Sequence, residues 1–107
     1  MTTFDNREAG YEAKFAHDQE VIFKATVRRN KMIGHWVAEE LGYAEEAAER
    51  YVENLVRSCL KKADDDAVVD RILEDFRSHN LVSSEHRIRQ KLSRLMSVAL
   101  VEMTAEA

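Results

Sequence analysis

Two long stretches in the first half of the chain carry apolar residues at the spacing of an amphipathic helix. From about Asp18 to Leu41 these residues recur every three or four positions, and Gly42 directly after them suits the left-handed position that ends a helix. A second stretch runs from about Ala44 to Lys62, with glutamates in its first turns and lysines in its last, as the helix dipole favours. The pattern predicts two helices joined by a short turn.

The second half of the chain contains two more stretches with the apolar spacing of an amphipathic helix. The three aspartates at 64–66 supply an N-cap for a shorter helix that runs through Phe76, and Asn80 suits a left-handed stop. Ser83 or Ser84 then caps a fourth helix, whose last residues after Leu100 we expect to fray. Short connections force consecutive helices to pack side by side, so residues 19–107 are predicted to form an antiparallel four-helix bundle.

Each predicted helix has an apolar face that we expect to point into the bundle. The inward positions, in chain order, are Ile22, Phe23, Ala25, Val27, Arg29, Ile33, Trp36, Val37, Leu41, Ala48, Tyr51, Val52, Leu55, Val56, Cys59, Val68, Val69, Ile72, Leu73, Phe76, Ile88, Leu92, Leu95, Met96 and Ala99.

Composition supports an all-α fold. The 107 residues include no proline and only three glycines, whereas a β domain of this length needs many turns rich in both. Hydrophobic residues make up 45% of the chain, which is enough to build one core.

Residues 1–18 differ from the rest and are predicted to form a separate N-terminal arm. Phe4, Tyr11 and Phe15 are spaced to lie on one side of a helix, but Gly10 weakens that helix by about 1 kcal/mol relative to alanine. An isolated helix of this length is marginal in water, so the arm is expected to be flexible or marginally helical.

Charge and sorting signals indicate a small soluble cytoplasmic protein. The formal net charge is −4, no basic start followed by an apolar stretch indicates secretion, and no apolar run is long enough to span a bilayer. The single cysteine, Cys59, lies on an apolar stripe and is predicted to be buried rather than reactive.

The residues that carry enzyme chemistry do not form a recognisable site. Three scattered glycines cannot build a phosphate-binding loop, and Asp75 with His79 offers two metal ligands where a closed zinc site needs four. We therefore expect no catalytic residue, no metal and no cofactor.

Two clusters of basic residues are the clearest candidates for binding. One, on the first long helix, comprises Lys24, Arg28, Arg29 and Lys31; the other, on the fourth, comprises Arg87, Arg89, Lys91 and Arg94. Because the net charge is negative, pairing within the molecule or docking on an acidic protein surface is favoured over binding of nucleic acid.

A dense series of short motifs over residues 4–42 resembles a known family. The motifs are Phe4-Asp5-Asn6-Arg7-Glu8, Glu12-Ala13-Lys14-Phe15-Ala16-His17-Asp18, Phe23-Lys24-Ala25, Arg28-Arg29-Asn30-Lys31, Gly34-His35-Trp36 and Leu41-Gly42. In this order and spacing they resemble the zeta subunit, the ATPase inhibitor of alphaproteobacterial F-type ATP synthases. Beyond Gly42 the resemblance rests on the helical pattern and on the acidic start of the third helix.

The resemblance implies a bacterial regulatory subunit rather than an enzyme. In such inhibitors the arm enters a catalytic interface of the ATPase head, between its alpha and beta subunits and next to the central stalk. It thereby blocks rotation in the direction of ATP hydrolysis, while the bundle holds the protein against the head. The protein would then be cytoplasmic and peripheral to the inner membrane, without inserting into it. The arm residues that the resemblance assigns to inhibition are Phe4, Asp5, Arg7, Glu8, Tyr11, Glu12, Lys14 and Phe15.

Two further hypotheses remain at this point. His17 lies between the arm and the bundle, and an imidazole pKa near 6.5 would make release of the arm sensitive to pH. The alternative function is a small helical adaptor that docks on an acidic protein partner through its basic strip.

Overall fold

The computed structural model describes residues 19–61 and 64–106, which form four α-helices. These are α1 (Gln19–Glu40), α2 (Glu45–Lys61), α3 (Asp65–Ser78) and α4 (Glu85–Glu106). Within the described residues there is no strand. The prediction of an all-α fold with four helices is therefore confirmed, and the ends of the first three helices agree with the sequence pattern to within about two residues.

Helices α1 and α3 end in the same backbone motif. After α1, Gly42 has φ of 82°, its N–H donates to the Glu39 carbonyl at 3.0 Å, and the Tyr43 N–H donates to the Ala38 carbonyl at 2.9 Å. After α3, Asn80 takes the same position with φ of 59°, and the Leu81 N–H donates to the Phe76 carbonyl at 2.9 Å. This Schellman arrangement satisfies the last carbonyls of each helix and turns the chain back.

Side chains cap the starts of the two later helices. The Asp64 carboxylate accepts a hydrogen bond from the Ala67 N–H at 2.7 Å at the start of α3. At the start of α4 the Ser84 hydroxyl accepts from the Arg87 N–H at 3.1 Å. Of the two serines that the sequence offered as a cap, Ser84 is therefore the one used. Ser83 has a buried hydroxyl oxygen without a partner among the described groups.

Helix α1 packs against both α2 and α4. Its middle meets the end of α4, where Arg28 pairs with Glu102, and its end meets the start of α4, where Glu40 pairs with Arg87 at 3.2 Å. These two contacts show that α1 and α4 are antiparallel. On the α2 side, a Cβ atom placed on Gly34 would lie 3.3 Å from a Val52 methyl carbon, so the two helices approach closely here.

The hydrophobic core lies between the four helices and closely follows the predicted faces. The buried apolar residues are Ala25, Ile33, Val37, Ala38, Tyr51, Val52, Leu55, Cys59, Val68, Val69, Ile72, Phe76, Ile88, Leu92 and Ala99. Trp36 is only half-buried and packs edge-on against Phe76, with 6.0 Å between ring centroids.

A buried arginine ties α1 to α3. The Arg29 side chain is 5% exposed, and its guanidinium donates to the Asp65 carboxylate at 2.9 Å. Two other N–H groups of the same guanidinium donate to the side-chain oxygen of the neighbouring buried Asn30 at 2.9 and 3.1 Å. The burial of a charge is costly unless it is paired and hydrogen-bonded, and these contacts meet that requirement.

Two expectations from the sequence are wrong. Phe23 was expected to widen the buried face of α1, but it is 58% exposed. Phe23 lies on the same face of α1 as Gly34, three turns earlier in the helix. Helix α2 packs on this face at Gly34, but it ends at Lys61 and does not extend as far as Phe23. The residues after Leu100 were expected to fray, but α4 continues to Glu106.

We predict that the close approach at Gly34 makes Gly34→Val destabilising by about 1–3 kcal/mol, because the added methyl groups must displace Val52 or Leu55. The neighbouring exposed residue supplies the control: His35→Val also places a β-branched residue in α1 and should change the free energy of unfolding by less than about 0.5 kcal/mol. Urea unfolding of both variants measures the difference. Equal effects would show that α1 and α2 do not pack tightly at this point.

We also predict that Asp65→Ala costs about 1–3 kcal/mol more than Asp66→Ala, since only the former leaves a buried guanidinium N–H without its partner. Both aspartates lie in the first turn of α3, so the loss of a favourable helix-dipole contact is shared. Asp66 pairs with Arg89, whose side chain is 41% exposed, and such pairs contribute little. Unfolding free energies that did not differ would contradict the role assigned to Arg29.

Candidate functional site

The basic residues predicted on α1 separate into an exposed set and one buried residue. Lys24 is exposed and pairs with Glu20 at 2.9 Å, Arg28 pairs with Glu102 at 3.4 Å, and Lys31 is exposed. Arg29 lies apart from these three because its side chain is directed into the bundle toward Asp65. The surface strip on α1 therefore consists of Lys24, Arg28 and Lys31, and Arg29 has a structural role.

The basic residues of α4 divide in a similar way. Arg87 and Lys91 lie over the Trp36 ring of α1, with their charged ends 5.2 and 5.7 Å from the ring centroid. Arg94 is exposed on the same side of α4. Arg89 is directed elsewhere and pairs with Asp66 at 2.6 Å and Glu85 at 2.8 Å, which raises its pKa. The cation–π contacts of Trp36 were not expected from the sequence, which indicated only a core anchor.

A polar network joins α2 to α3 on another side of the molecule. The Tyr51 hydroxyl donates to the Asp75 carboxylate at 2.5 Å, and Arg71 donates to the same carboxylate oxygen at 3.0 Å. Burial, together with the hydrogen bond to Asp75, raises the pKa of Tyr51 far above its ordinary value. The network therefore holds a neutral tyrosine at neutral pH and acts as a link between helices.

His79 is fixed in one tautomer by its two neighbours. Its Nδ1 lies 3.0 Å from the Asp75 carbonyl oxygen, which only accepts hydrogen bonds, so Nδ1 carries the proton. In the neutral imidazole, Nε2 then accepts from the Tyr43 hydroxyl, whose oxygen lies 2.8 Å away. Asp75 and His79, the pair considered above as metal ligands, are thus occupied by protein groups. Within residues 19–61 and 64–106, no group of three or more His, Cys, Asp or Glu is placed to hold a metal ion.

Cys59 is buried, as the sequence predicted. Burial raises the pKa of its thiol above the ordinary value, so the sulfur is protonated at neutral pH. A protonated, enclosed thiol is a poor nucleophile. Cys59 is a packing residue of α2.

One cavity of about 350 Å³ opens between α4, the middle of α1 and the start of α3. Its charged lining residues are already neutralised, since Arg29 pairs with Asp65 and Arg89 pairs with Asp66 and Glu85. The cavity therefore offers no uncompensated charge to an anionic ligand.

The distribution of charge over the helices is uneven. Helices α1 and α4 together carry eight lysines and arginines against six acidic residues, whereas α2 and α3 carry five against nine. Because Arg29 is buried, α1 and α4 keep seven other cations against six acidic residues, so the excess of acidic residues lies on α2 and α3.

The residues predicted to act in inhibition, namely Phe4, Asp5, Arg7, Glu8, Tyr11, Glu12, Lys14 and Phe15, lie outside the described residues, as does His17. Their roles remain predictions. None of the described helices has the length and apolar character needed to cross a membrane.

Comparison with known proteins identifies the family. A search of curated proteins found no match. A family model described as ATPase inhibitor subunit zeta matches residues 1–102, which is nearly the whole chain and covers residues 1–18, the first three helices and most of α4. The match agrees with the resemblance carried by the motifs of residues 4–42, and the chain thus belongs to the family of ATPase inhibitor zeta subunits.

Proposed function

We propose that this chain inhibits ATP hydrolysis by an F-type ATP synthase, with its N-terminal arm entering a catalytic interface of the ATPase head. The observation that carries the proposal is the family match over residues 1–102, since it spans the arm together with the helices. The binding partner is the ATP synthase, and the contact is placed between its alpha and beta subunits, next to the central stalk. The protein acts from the cytoplasm, peripheral to the inner membrane.

The packing of the helices supports a division of labour between the arm and the bundle. The buried apolar residues of the described helices run from Ala25 to Ala99 and form a core between α1, α2, α3 and α4. This core is available to keep residues 19–107 folded whether or not the arm is bound elsewhere. The arm then acts as the inhibitory element, and the helices provide docking.

In this mechanism the binding energy of the arm compensates for the conformational entropy that the arm loses when it becomes ordered. Fixing a residue of a flexible chain costs about 1–2 kcal/mol in backbone entropy, so an inserted arm needs substantial contacts. Phe4, Tyr11 and Phe15 each contribute about 2–3 kcal/mol on burial in a cleft, and backbone hydrogen bonds with the charged residues of the arm add to this. A helix held in the interface blocks rotation in the direction of ATP hydrolysis by steric means, because the catalytic interface cannot complete its closing motion.

We predict that Phe4→Ala combined with Phe15→Ala relieves inhibition of ATP hydrolysis by a purified cognate ATPase head, because it removes two of the three aromatic contacts of the arm. The melting temperature should change by no more than a few degrees, since the described core begins at Ala25. The matched control is Phe23→Ala, which removes an exposed phenylalanine from α1 and should leave inhibition unchanged. If the double variant melts much earlier than the native chain, the arm is part of the folded core and the mechanism fails.

The same double variant tests whether the helices provide docking. Because its four helices are intact, an excess of Phe4→Ala/Phe15→Ala protein should displace the native chain and restore hydrolysis in a concentration-dependent manner. The measurement is the hydrolysis rate at a fixed concentration of native chain and increasing concentrations of variant. Persistent inhibition at a hundredfold excess of variant would assign docking as well as inhibition to the arm.

A further inference from the structure

Two basic stripes with the same spacing run along the outer surfaces of α1 and α4. On α1 the positions are Lys24, Arg28, Lys31 and His35, and on α4 they are Arg87, Lys91, Arg94 and Val98. Each set follows the pattern i, i+4, i+7, i+11, which places its members on one side of a helix. We call the six lysines and arginines among them the α1–α4 basic face.

Contacts between α1 and α4 bring the two stripes side by side. Near the middle of α1, Arg28 reaches Glu102, one turn beyond Val98 on α4. Near the end of α1, Arg87 and Lys91 reach Trp36, the residue directly after His35. Because the helices are antiparallel and contact each other at both places, the stripes form one continuous surface rather than two separate ones.

Trp36 lies near one end of this surface. The indole is half-buried, packs edge-on against Phe76 and carries Arg87 and Lys91 at its exposed side. A tryptophan held rigid by packing and surrounded by cations is typical of the residues that dominate binding energy at protein interfaces. Exposed Val98, which is 40% accessible, adds apolar area farther along the face.

Several cations of this face keep their charge available for a partner. Among the described residues, no carboxylate lies within ion-pair distance of Lys31, Lys91 or Arg94. Within residues 19–61 and 64–106, the ion-pair partner of Lys24 is Glu20, and both side chains are more than 60% exposed. Exposed pairs of this kind are weak, so the lysine can exchange its partner at little cost.

We infer that the α1–α4 basic face is the surface by which the folded helices dock on an acidic protein surface of the ATP synthase. The inference rests on the proposed function for the identity of the partner, and it adds the location of the contact and its chemistry. The acidic residues of α2 and α3 favour docking through α1 and α4, since they repel an acidic partner from the other side of the bundle.

An acidic protein is favoured over nucleic acid as the binding partner, because carboxylates lie within and beside the basic face. Glu39, Glu40 and Glu102 lie along the same α1–α4 surface, and the protein has a net charge of −4. A continuous phosphate backbone would meet these carboxylates as well as the cations. The surface of a folded protein has separate acidic and basic residues, so it can place an opposite charge next to both the cations and the carboxylates of this face.

The test compares two triple variants that remove the same charge from different sides of the bundle. The first is Lys24→Gln/Lys31→Gln/Arg94→Gln, on the basic face. The control is Arg50→Gln/Arg57→Gln/Arg77→Gln, on α2 and α3. All six side chains are exposed, and each set breaks one surface ion pair, Lys24–Glu20 or Arg77–Glu74. Circular dichroism melting checks that both variants remain folded.

Binding of each full-length chain to the purified ATPase head is measured over a range of salt concentrations, in parallel with inhibition of hydrolysis. The basic-face variant should bind about tenfold more weakly at low salt, with a smaller dependence on salt. The control should stay within about twofold of the native chain. Equal weakening by both variants, or by neither, overturns the inference.

The two readouts separate this inference from the proposed function. If the native chain inhibits hydrolysis but both variants bind as it does, the docking surface lies elsewhere and the proposed function stands. If the native chain binds through the basic face without inhibiting, the docking inference stands and the inhibitory role fails. If the native chain neither binds nor inhibits, both are wrong. Binding of duplex DNA that is lost with the basic-face variant would overturn the choice of an acidic protein partner.

Discussion

Helix α1 packs closely against its neighbours, and the arrangement of the other three helices follows from this packing. On one side Gly34 provides no side chain, so α2 approaches until the valine and leucine of the facing turn would touch a Cβ atom. On the other side Arg29 enters the interior and is neutralised by Asp65 at the start of α3. One helix thus fixes the positions of the other elements through a small residue on one face and a paired charge on another.

This central position of α1 also explains the division of charge on the surface. A helix that is buried against α2 and tied to α3 has only a narrow outward face, and in α1 that face carries Lys24, Arg28 and Lys31, with exposed glutamates at both ends of the helix. Because α4 lies antiparallel beside α1, the exposed basic residues of the two helices lie on one side of the bundle rather than being spread around it. The acidic residues of α2 and α3 lie on the remaining surface, and the molecule has two sides of different charge.

The proposed separation between a folded body and an inhibitory arm suits a protein that must bind without being deformed. The body retains its core between Ala25 and Ala99, and its helix ends are closed by Gly42, Asn80, Asp64 and Ser84. Such a body can position a segment at a catalytic interface while its own stability is unaffected by what that segment does. In the proposed mechanism, the charged face contributes to the rate of association and to orientation, and the aromatic residues of the arm contribute to the strength of inhibition.

Helical periodicity and the chemistry of helix ends are local properties, so the four helices, their capping residues and nearly all of the core could be predicted from the order of the residues. Short motifs also indicated the family to which the chain belongs. The exposure of Phe23 could not be predicted in this way, since the length of α2 determines whether that position is covered. Only the structure separated Arg29 from the neighbouring basic residues and placed Arg87 and Lys91 over Trp36. The periodicity of one helix defines which residues share a face, but the neighbouring helix determines whether that face meets a core, an opposite charge or solvent.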